Sequence, residues 1–407
     1  MKGCLQQSKV IFDFGFERHR PAATAWESRM LYDVLVVGAG PAGAAAAKIL
    51  ADAGATVALV DAARFPRAKS CAGWLNAHAV RDFPFLDTIR RKVRAAPFRH
   101  LVFHSPDLEA TSRYSSRSHL GYIVSRKRFD AALVRLAAGA GAETFLGRKV
   151  VAVQAAERNV TVTLASGRRL VGRLLIGADG AAGIVARSLG LRERWTDQQI
   201  VACLAKDVPL TRKQLADGFE GAIHVALGFG GASGYAWAFP GAGAVNVGIG
   251  IRATEAGRLP SLYNAWVQGL RDKRMLPKGA NAARPSGAVI PAGAAIEFDN
   301  HIGKRTILVG DAGGFAAAAT GEGIYPGIWS ASIAARSILE ALAADRGERK
   351  GTTCQDALLE FRNAWRREMA SYLRMPNVNL AFLLPLVFTN RQIADRFARA
   401  FLFGENL

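Results

Sequence analysis

The chain has 407 residues, 50% of them hydrophobic and 21% charged, with 53 Lys and Arg against 33 Asp and Glu for a formal charge of +20. That balance excludes a disordered chain, which would be poorer in apolar residues, and the length accommodates two or three packed units. The longest apolar run, Leu380 to Phe388 with Pro385 inside it, is shorter than the roughly 18 residues a membrane-spanning helix needs.

Residues 1–29 alternate Phe12, Phe14 and Phe16 with Asp13, Glu17, Arg18 and Arg20. This is no signal peptide, and the segment is read as a disordered extension with Met30 as an alternative start. Tyr32–Val37 is a buried parallel strand running into Gly38-Ala39-Gly40-Pro41-Ala42-Gly43. An alanine-rich helix follows to about Ala53, stopped by Gly54, and Thr56–Val60 is a second strand ending in Asp61. Phe98 to Ile123 reads as antiparallel strands turning at Ser105-Pro106-Asp107, Phe129–Ala138 as a helix, and Val150–Leu164 as a hairpin. Leu174–Ile176 is a short strand before Gly177-Ala178-Asp179-Gly180, and residues 200–251 are strand-rich. Thr306–Val309 is a strand ending at Gly310-Asp311, a helix runs from about Gly323 to Ala343, and the chain after Asp356 is helical and basic.

Each glycine of the first loop has a mechanical role. Gly38 permits the tight turn, Gly40 lets backbone amides approach a pyrophosphate, and Gly43 lets helix pack on strand. The phosphates then meet a helix N-terminus, where free N–H groups and the dipole favour negative charge. Asp61 is placed to accept hydrogen bonds from ribose hydroxyls. A second acid at a strand end, Asp311, suits a ribityl hydroxyl, and Thr320-Gly321-Glu322-Gly323 opens a helix whose positive end stabilises an anionic reduced ring. These features favour FAD over NAD. Cys4, Cys71, Cys203 and Cys354 form no CxxC pair, which argues against structural zinc or a disulfide framework and for a reducing, cytoplasmic setting. No metal is expected. The basic excess attracts anionic groups, yet no nucleic-acid motif is present, so no nucleic-acid partner is expected.

These residues resemble the geranylgeranyl reductase family, within the flavoproteins that share the p-hydroxybenzoate hydroxylase fold. The resemblance rests on GAGPAG, Phe65-Pro66-Arg67 with Lys69 and Cys71, Arg126 with Phe129-Asp130, the loop 177–180, and the run from Gly310 through Gly321, Glu322 and Gly323 to Ile324. Its most discriminating piece is Gly234-Tyr235-Ala236-Trp237-Ala238-Phe239-Pro240, similar to the YxWxFP substrate-cavity signature of prenyl reductases. The chain departs from the family at Ala72, where a glycine is usual, at Ala181-Ala182-Gly183, and at Ala318 in place of a proline.

The resemblance implies an α/β fold: a Rossmann-like FAD-binding domain from segments 30–74, 121–191 and 301–343, an inserted antiparallel-sheet substrate domain from 75–120 and 192–300, and C-terminal helices over 344–407. It implies that Gly38, Gly40, Pro41, Ala42, Gly43, Asp61, Lys69, Cys71, Arg126, Asp179, Gly310, Asp311, Gly321, Glu322, Gly323 and Ile324 hold FAD, with Arg126 at the phosphates. Cys71 then lies near the isoalloxazine ring, and Tyr235, Trp237 and Phe239 line a hydrophobic tunnel. Alternate strand residues share one face, so the three aromatics can grip a polyene or form an ordinary sheet core. Cys71 is read as a proton donor or as a small packing residue.

The implied reaction is reduction of carbon–carbon double bonds in a prenyl chain by hydride from reduced flavin. The chain has no second GxGxxG, so electrons are expected from transiently bound NAD(P)H or a protein donor. Two rivals stand: a flavin monooxygenase or halogenase on the same fold, with Lys69 the one candidate halogen carrier, and a membrane-surface electron-transfer flavoprotein. The terminal segment, with Leu380, Phe382–Leu384, Leu386–Phe388, Phe397, Phe401 and Phe403 among Arg391, Arg396 and Arg399, reads either as a basic amphipathic helix on the inner membrane surface or as a cap on the enzyme's own core. The oligomeric state is not legible.

Overall fold

The computed structural model describes residues 31–376 and 380–405. The extension expected at 1–29 and the alternative start Met30 lie outside the described residues, as does the side chain of Leu380. The first strand, Leu31–Val37, is buried on both faces through Val34–Val37 and pairs in parallel with Val57–Asp61 on one side and Arg169–Gly177 on the other. Such burial is what an uninterrupted apolar run demands in a parallel sheet. The sheet continues in the order Ile302–Gly303, Thr306–Leu308, Arg169–Gly177, Leu31–Val37, Val57–Asp61, Glu143–Leu146. Its strand Arg169–Gly177 is longer than the residues 174–176 expected. The extra residues pair antiparallel with Val160–Leu164 of the hairpin.

Three helices cover this sheet: Pro41–Asp52, Arg126–Gly139 and Ile324–Asp345. Ala44, Ala45, Ala46 and Ala47 of the first are fully buried, and their small side chains let the other two helices pack closely on it.

A second sheet runs in the order Ser286–Ile290, Val201–Pro209, Ala244–Arg252, Gly234–Pro240, Ala222–Leu227, His100–His104, Thr111–Ser115. It is antiparallel except where Ala222–Leu227 pairs with His100–His104. Its two faces differ as period-two alternation requires. Ala236 and Ala238 pack under Trp266 of the helix Leu259–Asp272. Trp237 and Phe239 face the opposite side with Phe397 and Phe401 of the terminal helix Arg391–Phe403. The helices Leu259–Asp272 and Arg212–Phe219 are absent from the sequence reading. The first carries its apolar residues at helical spacing (Leu259, Leu262, Tyr263, Trp266, Val267, Leu270), with Pro260 in its first turn.

A third, three-stranded sheet joins Trp74–Asn76, Gly121–Ile123 and Ala96–Phe98. The boundaries expected at 74/75 and 120/121 pass through it. From Leu31 on, the chain forms one compact unit. Within the segment 344–407, Cys354–Leu373 packs on the long helix Ile324–Asp345, and Arg391–Phe403 packs under the second sheet. Of the two readings of the terminal segment, the cap on the enzyme's own core describes Arg391–Phe403. Phe397 and Phe401 lie 5.2 and 5.6 Å from the Phe103 ring, so that apolar face is occupied by the protein's own core.

Candidate active site

The first glycine loop divides its work between packing and openness. Gly38 has φ +100°, and a Cβ there would meet the Ala178 carbonyl at 2.2 Å. A Cβ on Gly43 would meet the Gly38 carbonyl at 1.8 Å. Gly40 is different: its Cβ position has only Arg67 Nη2 nearby, at 3.8 Å. The space over Gly40 is therefore free for a ligand. The helix beginning at Pro41 has no side-chain cap and no acid in its first turn, leaving its start to an external anion. Asp61 closes the second strand and accepts from Ala39 N and Ala63 N, each at 2.7 Å, which braces the loop from below.

Opposite this loop, one buried carboxylate holds two guanidiniums. Asp130 receives Arg126 Nε and Nη2 at 2.8 Å each, and Arg67 Nη2 at 3.2 Å. Two positive charges against one negative leave a surplus cation beside Gly40, and Arg67 Nη1 is buried with no partner. An open donor beside surplus positive charge suits a phosphate. Arg126, expected at the phosphates, lines the cleft, directs its fork to Asp130 and lies within hydrogen-bonding reach of Cys71. Burial opposes its charge, and Asp130 and Cys71 together more than offset burial. Arg67, whose role the sequence reading left unassigned, faces Gly40. Arg126 announces its pairing by the i, i+4 spacing to Asp130; Arg67 lies far upstream and carries no such signal.

The second motif packs directly on the first. Gly310, at φ +57°, would place a Cβ 2.9 Å from Ala42 Cβ, and a Cβ on Gly323 would lie 3.2 Å from Asp311 Oδ1. Burial raises the Asp311 carboxyl, while Lys69 and Arg126 pull it down, which puts both cations near it. Asp179 lines the cleft beside Ala178 and Gly180. Its Oδ2 accepts from Val185 N at 2.9 Å at the start of the short helix Val185–Ser188, and its Oδ1 is buried without a partner. Burial raises this carboxyl too.

The strand Gly234–Pro240 supplies an aromatic wall. Tyr235 and Trp237 have ring centroids 5.8 Å apart, and Trp237 and Phe239 6.4 Å. Trp237 Nε1 donates to Asn246 Oδ1 at 2.7 Å, and Asn246 in turn donates to Asp207 at 2.7 Å, so the ring is fixed in orientation. Two further elements complete the wall: Phe401 stacks on Trp74 at 5.8 Å and meets Tyr235 edge-on at 5.9 Å. Neither Trp74 nor Phe401 was singled out from sequence as a site residue, because each acquires its place through strand and helix packing. Cys71 and Cys203 also line this region, and burial pushes the Cys203 thiol up to about 12.

The two halves form one cleft of about 1440 Å³, running from Gly38 and Gly40 past Asp311 and Gly321–Ile324 to Tyr235, Trp237 and Phe401. The Tyr235 hydroxyl donates to the Thr320 carbonyl and pins the two together. Among the described residues no group of three or more His, Cys, Asp or Glu side chains is placed to hold a metal ion.

The open space over Gly40, the unpartnered Arg67 nitrogen and the surplus charge at Asp130 fit a dinucleotide pyrophosphate, and a cleft of this length takes a flavin. Fold and site define an FAD-dependent oxidoreductase. The model of the FAD binding domain family matches residues 31–353, and the chain belongs to that family.

Menaquinone reductase of Mycobacterium tuberculosis is 32% identical over 317 residues, covering 74% of this chain and 75% of the relative. Digeranylgeranylglycerophospholipid reductase of Methanosphaerula palustris is 29% identical over 361 residues, 82% of each. A geranylgeranyl bacteriochlorophyll reductase-like protein of Thermoplasma acidophilum superposes with a TM-score of 0.73 at 20% identity, over 92% of this chain and 97% of that one. A halogenase solved with FAD has a TM-score of 0.66 at 18% identity, over 91% and 79%. The structural likenesses show the fold that reductases and halogenases share.

Proposed function

We propose that this enzyme reduces carbon–carbon double bonds of an isoprenoid chain. The observation that carries the reading is the continuity of the cleft: the space beside the phosphate cradle opens straight onto an aromatic wall with no charged side chain among Tyr235, Trp237, Phe239, Trp74 and Phe401. Relatives named for reducing a menaquinone and a digeranylgeranyl lipid support the same class of substrate.

When bound, reduced FAD supplies hydride; the protein supplies everything else. An isolated alkene is a poor electrophile, so holding it in near-attack geometry must lower much of the barrier. The aromatic faces of Tyr235 and Trp237 hold the chain, and Leu384, Phe397 and Phe401 of the C-terminal helices close the wall against water. In this reading Cys71, whose Sγ accepts from Gly73 N at 3.4 Å, gives a proton to the second alkene carbon. Electrons arrive from transiently bound NAD(P)H or a protein donor.

Contact with a lipid surface suits the route an isoprenoid takes. The helix Leu380–Thr389 carries no charge, and exposed Met375 lines the cleft. No helix among the described residues is long and apolar enough to cross a membrane.

Anaerobic turnover with a prenylated lipid, read by mass spectrometry as two added hydrogens per bond, tests the assignment. Product formed only with consumption of oxygen would move the enzyme to the monooxygenase and halogenase group, where Lys69 lines the cleft. Redox cycling of bound FAD with no lipid product would leave the electron-transfer role.

A further inference from the structure

The loop Thr320–Gly323 lies where the phosphate half of the cleft meets the aromatic wall, and its one acidic residue is buried. Glu322 is 6% exposed; Gly321 and Gly323 flank it along the cleft. Its Oε2 accepts from the Tyr372 hydroxyl, and its Oε1 is buried without a partner. Asn76 stands behind the pair, donating to Tyr372 Oη at 3.3 Å and to the Leu402 carbonyl at 2.6 Å. The groups facing Glu322 are Tyr372 from Cys354–Leu373, Tyr325 from the long helix, Tyr235 from the aromatic strand, and Asn76. None is a cation. A carboxylate buried without a counter-ion is costly. Burial accordingly pushes Glu322 up to about 7, against the hydrogen bonds from Tyr372 and Asn76 that favour its charged form.

We propose that Glu322 is the proton-holding residue of the redox site, with Tyr372 positioning its carboxyl. Were bound FAD to be reduced by two electrons and one proton, the Glu322 carboxylate would take up a second proton from solvent. It would return that proton when the electrons leave. The physical cause is like-charge repulsion: a reduced ring carrying negative charge beside the loop makes a second buried anion more costly, so the carboxyl binds its proton more tightly. The proposal rests on bound FAD alone and is independent of the substrate.

The test is the midpoint potential of the purified holoprotein, measured spectroelectrochemically from about pH 6 to about pH 9 without substrate. One extra proton per two electrons steepens the fall of the potential by about 30 mV per pH unit. The wild type should show that steeper slope above about pH 7, and Glu322→Gln should lack it while keeping FAD. Tyr372→Phe removes a donor that favours the carboxylate, so the break should move to higher pH. Parallel lines for wild type and Glu322→Gln would overturn the proposal. If Glu322→Gln sheds its flavin, the Tyr372→Phe break decides: displacement upward supports the proposal, and an unmoved break defeats it.

Discussion

Two glycines three residues apart should fail in opposite ways. Gly40 sits at φ −68°, ψ −177°, an extended conformation open to any residue, and caps the helix Pro41–Asp52. Threonine caps a helix about as well as glycine. Its Cβ at this position would lie 3.8 Å from Arg67 Nη2, the nearest atom. Gly40→Thr should therefore leave the stability of the apoprotein within about 0.5 kcal/mol of wild type. The same side chain enters the space where the pyrophosphate lies, so FAD affinity should fall by at least about 100-fold, roughly 2.8 kcal/mol. Gly43→Ala meets the Gly38 carbonyl at 1.8 Å and Ala178 Cβ at 3.1 Å. The helix must move off the sheet, at a cost of about 1–3 kcal/mol or more. Urea unfolding of both apoproteins and flavin-fluorescence titration of both variants separate the two effects. A Gly40→Thr protein purified yellow with wild-type affinity would refute the placement of the phosphates.

Arg67→Met keeps bulk and removes the charge over Gly40; FAD should bind about tenfold to 100-fold more weakly, as for loss of a charge-assisted hydrogen bond of roughly 1.5–3 kcal/mol, and an unchanged titration would return the phosphate role to Arg126. Trp237→Phe leaves the buried Asn246 carbonyl without its donor, so stability should fall by about 1–3 kcal/mol and turnover of long prenyl substrates should slow with FAD still bound; unchanged kinetics would remove Trp237 from the tunnel. His104, His224 and His301 are held at about 4, about 3 and about 3, chiefly by burial, against an ordinary value of 6.5. The unfolded chain then binds more protons than the folded one below pH 6.5. Stability is fully present above that value and declines as pH falls toward 4, by up to about 1.4 kcal/mol per pH unit for each histidine. Glu322 acts in the other direction: its raised pKa makes its contribution full below its ordinary 4.5 and lost as pH rises through about 7. Urea midpoints across this range should rise from acid toward neutrality, and a flat profile would count against the three buried neutral imidazoles.

What was legible in the sequence is what depends on local chain geometry. GAGPAG between a strand and an alanine-rich helix leaves little choice, and Asp61 and Asp311 stand at strand ends because the following loops must turn there. The aromatic wall was readable because Tyr235, Trp237 and Phe239 alternate with Ala236 and Ala238 on a single strand. Residues joined across the fold were not readable. Arg67 reaches Asp130 through a loop, Asn76 and Tyr372 meet Glu322 from two other elements, and Phe401 finds Trp74 from the last helix. The amphipathic pattern of Arg391–Phe403 announces an apolar face but does not say what covers that face; the second sheet does.

This division also explains why reductases and halogenases can share the scaffold. The cofactor half is built from glycine backbone, helix starts and a few charges, and these make the same contacts whatever the bound flavin later does. On this reasoning chemistry is chosen outside the phosphate cradle, at the wall, its covering helices and their junction with the cofactor half. In this chain that junction is the loop Thr320–Gly323, tied to the wall through Tyr235 and to Cys354–Leu373 through Tyr372. A change in the wall can thus be felt at this loop through the Tyr235–Thr320 hydrogen bond, without disturbing the phosphate cradle. Substitutions at Tyr235 should accordingly shift flavin reactivity as well as substrate affinity, whereas those at Phe401 should alter substrate affinity alone.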